Sequence, residues 1–266
     1  MLAQIDHIVL LVNNLPDATA NAAAAGFTVS SGGKHDSGGT HNALIPFRDG
    51  TYIELLAFDE PPPPDHYFAR RLELGPGLAD LACLSTDLDA DLGAMKARGI
   101  AFPDPVSLSR IRPDGVQVAW RMSLPATMYP GKGYPFLIED TSDRALRVSG
   151  DPAHANGVTG VAGVSLVTTD VDADAQVMAA LLGVPDVASR FGHAGKGIVV
   201  LPFGTAGQWI ALVQAMPETA AQAHHEQFGA GPYAISLRTD TSPAAGPWDG
   251  TTIDPALVSG ARILIA

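Results

Sequence analysis

Two residues of this chain pair reactive side chains with apolar settings. His7 stands in DHIVLLV and Glu54 in TYIELLAF. Both segments read as strands, in which successive side chains point to opposite faces. His7, Val9 and Leu11 then share one face, and Ile8, Leu10 and Val12 the other. Tyr52, Glu54 and Leu56 share a face, and Ile53 and Leu55 the opposite one. A carboxylate among such neighbours is costly to bury without a partner. A hydrogen-bonded histidine, a metal ion or an opening to solvent would each satisfy it.

A second group of candidates lies in GGKHDSGGTHN, residues 32–42. His35, His41 and Asn42 can read a polar substrate there, and the glycines let backbone donors come close to a ligand. The same segment also reads as an ordinary strand connection. Arg110, Arg112, Trp120 and Arg121 flank the turn Pro113-Asp114-Gly115, a turn signal in its own right. Arg110 or Arg112 can hold a carboxylate or phosphate through two parallel hydrogen bonds, and Trp120 can stack on a ring. Surface arginines around a core tryptophan would give the same pattern. His154, His193, His224 and His225 read as solvated, and Cys83, inside a strand, as a small buried hydrophobe. No nucleophile elbow, phosphate loop or dinucleotide fingerprint is present.

The elements that must position these residues repeat along the chain. DHIVLLVNNLPDATANAAAAGF, ADLACLSTDLDADLGAMKARGI and VAGVSLVTTDVDADAQVMAALLGV each read as strand, polar turn, alanine-rich helix and terminal glycine. Asn or Asp stands where each helix needs its N-cap. His7, Asp80 and Gly163 each precede the first helical apolar residue (Leu15, Leu88, Val171) by the same spacing and are therefore equivalent. Three candidate strands follow each helix: 27–31, 40–47 and 51–57; 106–112, 116–124 and 135–139; 186–191, 197–203 and 208–214. The unit is βαβββ, with a fourth, helix-poor copy over 233–266. A stiff EPPPPD segment separates units one and two. The spacing predicts a division into 1–150 (modules 1–59 and 76–145) and a degenerate pair over 151–266.

Composition bounds the partners. The chain has 266 residues, of which 46% are hydrophobic and 17% charged, enough for a sizeable core. Its net charge is −12 with only four lysines, which argues against nucleic acid and anionic membranes. One cysteine excludes an internal disulfide framework. There is no apolar run of membrane-spanning length and no signal-peptide pattern, so a cytoplasmic setting is expected. The expected partner is a small-molecule substrate, with a homodimer as the expected assembly.

DHIVLLV, GGKH, GTHNAL, TYIELLAF, RPDG and PFLI, in that order, make the sequence resemble the vicinal oxygen chelate superfamily, and within it a glyoxalase-like domain family. The resemblance covers residues 4–140 well and the remainder only as a repeat. It implies an α+β fold of repeated βαβββ modules, glyoxalase/bleomycin-resistance/dihydroxybiphenyl dioxygenase-like, paired into cup-shaped mixed sheets. In that superfamily metal ligands sit on the first and fourth strands of paired modules. Carried over position by position, they would be His7, Glu54, Asp80 and Glu139, with Gly163 and Ala211 in unit three unable to ligate. Glu139 would also carry a proton. His41, Asn42, Arg112 and Trp120 would contact substrate.

One histidine among several carboxylates suits Mg²⁺, Mn²⁺, Zn²⁺ or Ni²⁺ as a Lewis acid, with Fe less well served. The expected chemistry is lyase or isomerase chemistry on an oxygen-rich substrate. The alternatives are a metal-free binding protein that sequesters a small molecule, and a metal-free cyclase.

Overall fold

The computed structural model describes residues 2–36, 39–62, 64, 66–125, 133–184, 189–191, 197–204, 207–242 and 246–266. Residues 126–132, between the expected strands 116–124 and 135–139, fall outside these residues, as do His193 and the first part of the expected strand 186–191.

The first module runs β1 (Gln4–Leu11), α1 (Leu15–Ala24), β2 (Ser30–His35), β3 (Thr40–Pro46) and β4 (Tyr52–Phe58). A short helix α2 (Ala69–Glu73) leads into the second: β5 (Gly77–Leu84), α3 (Leu88–Ala97), β6 (Val106–Ile111), β7 (Gln117–Ser123) and β8 (Phe136–Asp140). A one-turn helix α4 (Arg144–Arg147) follows. The third module holds β9 (Val158–Thr168), α5 (Val171–Leu182), β10 (Ser189–Phe191), β11 (Ile198–Phe203) and β12 (Gln208–Gln214). The chain ends with α6 (Ala220–Phe228), β13 (Gly231–Thr239), β14 (Thr251–Thr252) and β15 (Ile263–Ile265).

The repeated helix starts have one physical cause. Asn14, Asp87 and Asp170 each accept a hydrogen bond from the backbone N–H three residues on, at 2.9, 3.0 and 3.1 Å.

The first two modules close into one barrel, in the order β1-β4-β3-β2-β6-β7-β8-β5. The second half makes an open seven-stranded sheet, β10-β11-β12-β9-β13-β15-β14. This is an α+β architecture with two mixed sheets.

The strand faces follow the alternation in the sequence. Ile8, Leu10, Ile53 and Leu55 face outward into a core shared with Val164, Leu166, Ile210 and Ile235 of the second sheet. Val9, Leu11 and Leu56 face inward with Trp120, Phe136 and Ile138. Polar contacts also tie the two halves together. The Gln208 side chain accepts from Ile5 N at 2.8 Å and donates to the Val161 carbonyl at 3.2 Å. Arg238 pairs with Asp49 at 2.6 Å.

One strand and two histidines depart from the expectation. The second strand is Ser30–His35 rather than 27–31, so Gly32 and Gly33 lie in a strand and not in a turn. The reason is close approach. A Cβ on Gly33 would stand 2.1 Å from the Ile111 carbonyl oxygen, where β2 meets β6 and the barrel closes. His154 and His224, both expected in solvent, are half-buried: His154 accepts from Thr28 N at 2.9 Å and donates to the Pro46 carbonyl at 2.9 Å, and His224 lies on α6 with its ring 5.2 Å from that of Tyr233. Among the described residues no helix is long and apolar enough to cross a membrane.

Candidate functional site

The barrel encloses a cavity of about 320 Å³. Its walls carry two kinds of side chain. Val9, Leu56, Trp120, Phe136 and Ile138 make an apolar body. His7, His35, Asn42, Glu54 and Arg110 supply the chemistry.

Glu54 sits at the centre of the polar group. Its Oε2 lies 3.6 Å from His7 Nε2, and its Oε1 lies 3.8 Å from His35 Nε2. Asn42 Nδ2 donates to Oε1 at 2.5 Å. The carboxylate is only 8% exposed, so it is solvated by these three side chains rather than by bulk water. Strand pairing sets the constellation: β1 pairs His7 with Tyr52 and Val9 with Glu54, and β3 pairs Leu44 with Glu54. Gly32 makes room for Asn42, since a Cβ there would stand 1.9 Å from Asn42 Oδ1.

Each imidazole is held from behind. His7 Nδ1 is 2.6 Å from Asp6 Oδ2, and His35 Nδ1 is 2.8 Å from Thr40 Oγ1. The Asp6 carboxylate accepts from His7 Nδ1, which leaves Nε2 facing Glu54 in the cavity. Asp6 itself is fully buried. A bulge between Ile5 and His7 interrupts the β1–β5 register at this point. Burial alone would raise the Asp6 carboxyl, but Arg147, His7 and Arg144 outweigh it and hold it well below the usual carboxylate range. Arg147 joins Asp6 to Asp140 and donates to the Tyr52 hydroxyl at 2.7 Å. Burial lowers the His35 ring below the ordinary histidine value, partly offset by Glu54, which favours a neutral ring.

The structure brings together six of the residues singled out in the sequence. His7, His35, Asn42, Glu54, Arg110 and Trp120 all line the cavity. Four do not reach it. Glu139 faces outward, 3.1 Å from Arg121 Nη1, and accepts from Leu88 N at the start of α3. The pairing explains why. β5 pairs Ala82, the equivalent of Val9, with Phe136 where β1 pairs Val9 with Glu54, so the counterpart of Glu54 is Phe136, three residues short of Glu139. An odd offset reverses the face. Asp80 stands at a bulge in β5 and is buried, but it turns to the Tyr67 hydroxyl at 2.7 Å and to Leu81 N at 2.7 Å. Burial raises its carboxyl to about 7, against the pull of those two hydrogen bonds. His41 alternates out of the barrel and lies 2.9 Å from Asp59. Arg112 lies past the end of β6 and pairs with Asp114 at 2.8 Å.

The residues therefore do not fit the four-donor metal set. Module two offers Phe136 where a donor is needed, and its Asp80 is engaged elsewhere. Among the described residues no group of three or more His, Cys, Asp or Glu side chains is placed to hold a metal ion.

Asp6, Thr40, Tyr67 and Arg147 were not visible as site residues in the sequence. The signal available for Arg147 was the segment TSDRALR, whose Asp143 caps a single turn bearing two arginines.

A family model described as a glyoxalase-like domain matches residues 5–182. No curated protein matches the sequence. Among solved structures, a hypothetical protein from Staphylococcus aureus is similar with a TM-score of 0.69 and 12% identity, covering 98% of this chain and 99% of that one. A mutant of 4-hydroxymandelate synthase from Streptomyces coelicolor matches at 0.55 and 14% identity, over 90% of this chain and 71% of that one. A xylose isomerase-like TIM barrel/4-hydroxyphenylpyruvate dioxygenase fusion protein matches at 0.52 and 16% identity, over 90% and 37%. At these identities the likeness is one of fold.

Proposed function

The chain belongs to the glyoxalase-like domain family of the vicinal oxygen chelate superfamily, and on that premise we propose that it is an enzyme that moves a proton on a small oxygen-bearing molecule, in a lyase or isomerase reaction. The observation that carries this reading is a buried carboxylate, Glu54, between two imidazoles whose far nitrogens are both fixed. Glu54 removes a proton from a carbon beside a carbonyl, and the electron pair moves to the carbonyl oxygen. His7 or His35 returns a proton to the same framework, so no outside oxidant or reductant is needed. The low-polarity wall strengthens each of these interactions. No step is assigned to a metal ion, because module two does not present the donors.

Solvent-deuterium incorporation into a panel of small ketones, hydroxyketones and oxo acids tests this. Exchange that Glu54→Gln abolishes and that survives exhaustive chelation supports the reading. Exchange that Glu54→Gln leaves intact, or that returns only with added Mg²⁺, Mn²⁺, Zn²⁺, Ni²⁺ or Fe²⁺, overturns it.

The apolar wall around Phe136, where the paired module would carry a donor, favours a second reading: a binding protein that sequesters its ligand without turnover. Tight binding with no exchange in any panel member would select it.

A further inference from the structure

Arg110 is a buried cation in the cavity wall, 2% exposed. Its Nη2 donates to the Arg147 carbonyl at 2.6 Å, while its Nε is buried without a hydrogen-bond partner. No carboxylate among the described residues forms an ion pair with it. Arg147, on the same wall, has the opposite arrangement, with its guanidinium matched by Asp6, Asp140 and the Tyr52 hydroxyl. A guanidinium taken out of water needs an anion or acceptors, and here the fold supplies one carbonyl.

The position of Arg110 follows from barrel closure. β2 pairs His35 directly with Arg110, so the cation and one of the two imidazoles flanking Glu54 are cross-strand neighbours at the module seam. Trp120 stands edge-on to His35 at 5.9 Å, and Phe136 edge-on to His7 at 5.4 Å. The cavity thus has a cationic corner, an acid–base edge and an aromatic body.

We propose that the ligand is a small monocarboxylate whose charged end binds Arg110 and whose planar apolar body lies against Trp120 and Phe136. A single guanidinium with one arm already engaged suits a carboxylate better than a phosphate dianion, which would need more donors than this corner holds. The inference deepens the acid–base reading, since Arg110 and Glu54 line the same cavity. Binding of the carboxylate at Arg110 does not require turnover.

The test uses the full chain with ¹⁵N-labelled arginine. Benzoate, phenylacetate and phenylpyruvate are titrated against benzamide and phenylacetamide, and the Arg110 Nε–H resonance, assigned with Arg110→Lys, is followed. The expected result is saturable movement of that resonance with at least one carboxylate, with the matched amide at least tenfold weaker. Arg110→Lys should bind the carboxylate about tenfold more weakly, and Arg110→Gln should lose the preference over the amide. Amides that bind as tightly as carboxylates, carboxylates that saturate without moving the Arg110 signal, or failure of all three carboxylates to bind would each overturn the proposal. The wild-type titration decides the matter even if Arg110→Gln does not fold. Glu54→Gln is titrated in parallel. Carboxylate binding retained in Glu54→Gln, with exchange unaffected by that substitution, would sink the acid–base reading and leave this inference standing.

Discussion

Asp6 Oδ2 lies 2.6 Å from His7 Nδ1, and this contact sets which nitrogen His7 offers to the cavity. The same carboxylate also accepts from Arg144 and Arg147, so one buried charge orients the imidazole and, together with Asp140, balances those two arginines.

Asp6→Asn should therefore destabilise the protein strongly. Removing one member of a buried ion network leaves uncompensated charge, at a cost of about 3–5 kcal/mol. Denaturant unfolding checks this, with the fall seen as a lower midpoint at an unchanged slope. A loss below about 1 kcal/mol would show that the network is not load-sharing as described.

Gly32→Ala should disturb the site through packing. The new Cβ would stand 1.9 Å from Asn42 Oδ1, so Asn42 must leave its place beside Glu54. The expected cost is about 1–3 kcal/mol. Ligand affinity should fall with it, measured by calorimetry beside Asn42→Ala. Unchanged affinity in both variants would remove Asn42 from the site.

Asp80 predicts a pH dependence of stability. Burial raises its carboxyl from the ordinary aspartate value of 3.8 to about 7 in the folded chain. The unfolded chain releases this proton first, so the penalty is absent below about pH 4, grows as pH rises through the interval to about 7, and is constant above it. Asp80→Asn keeps a hydrogen-bonding side chain beside Tyr67 and Leu81 and removes the ionisation. Its stability relative to the parent should rise between pH 4 and 7, by on the order of 4 kcal/mol at most. Parallel denaturation curves at pH 4.5 and 7.5 measure this, and an equal difference at both would refute it.

Glu139→Ala and Arg112→Ala serve as outward-facing controls. Glu139 caps α3 and pairs with the part-exposed Arg121, and Arg112 pairs with the exposed Asp114. Each variant should lose no more than about 1 kcal/mol. Neither should change carboxylate affinity by more than about twofold. A tenfold loss in Glu139→Ala would place that residue in the site after all.

Local periodicity determined the module, the helix caps and the in–out alternation of β1 and β4. Those depend on neighbours in the chain, which is why His7 and Glu54 could be placed on one face from the sequence alone. What the sequence could not supply was the register across long connections. The connection before β8 shifts the equivalent of Glu54 onto Phe136, so the expected donor Glu139 falls on the outer face. Bulges at Asp6 and near Asp80 likewise redirect side chains that simple alternation misplaces. Closure of β2 on β6 then decides the rest. It brings His35 from one module beside Arg110 from the other, two residues far apart in the chain whose pairing exists only because the sheet curls into a barrel. Alternation is a property of a strand, whereas the chemistry of this cavity depends on which strands meet and at what offset.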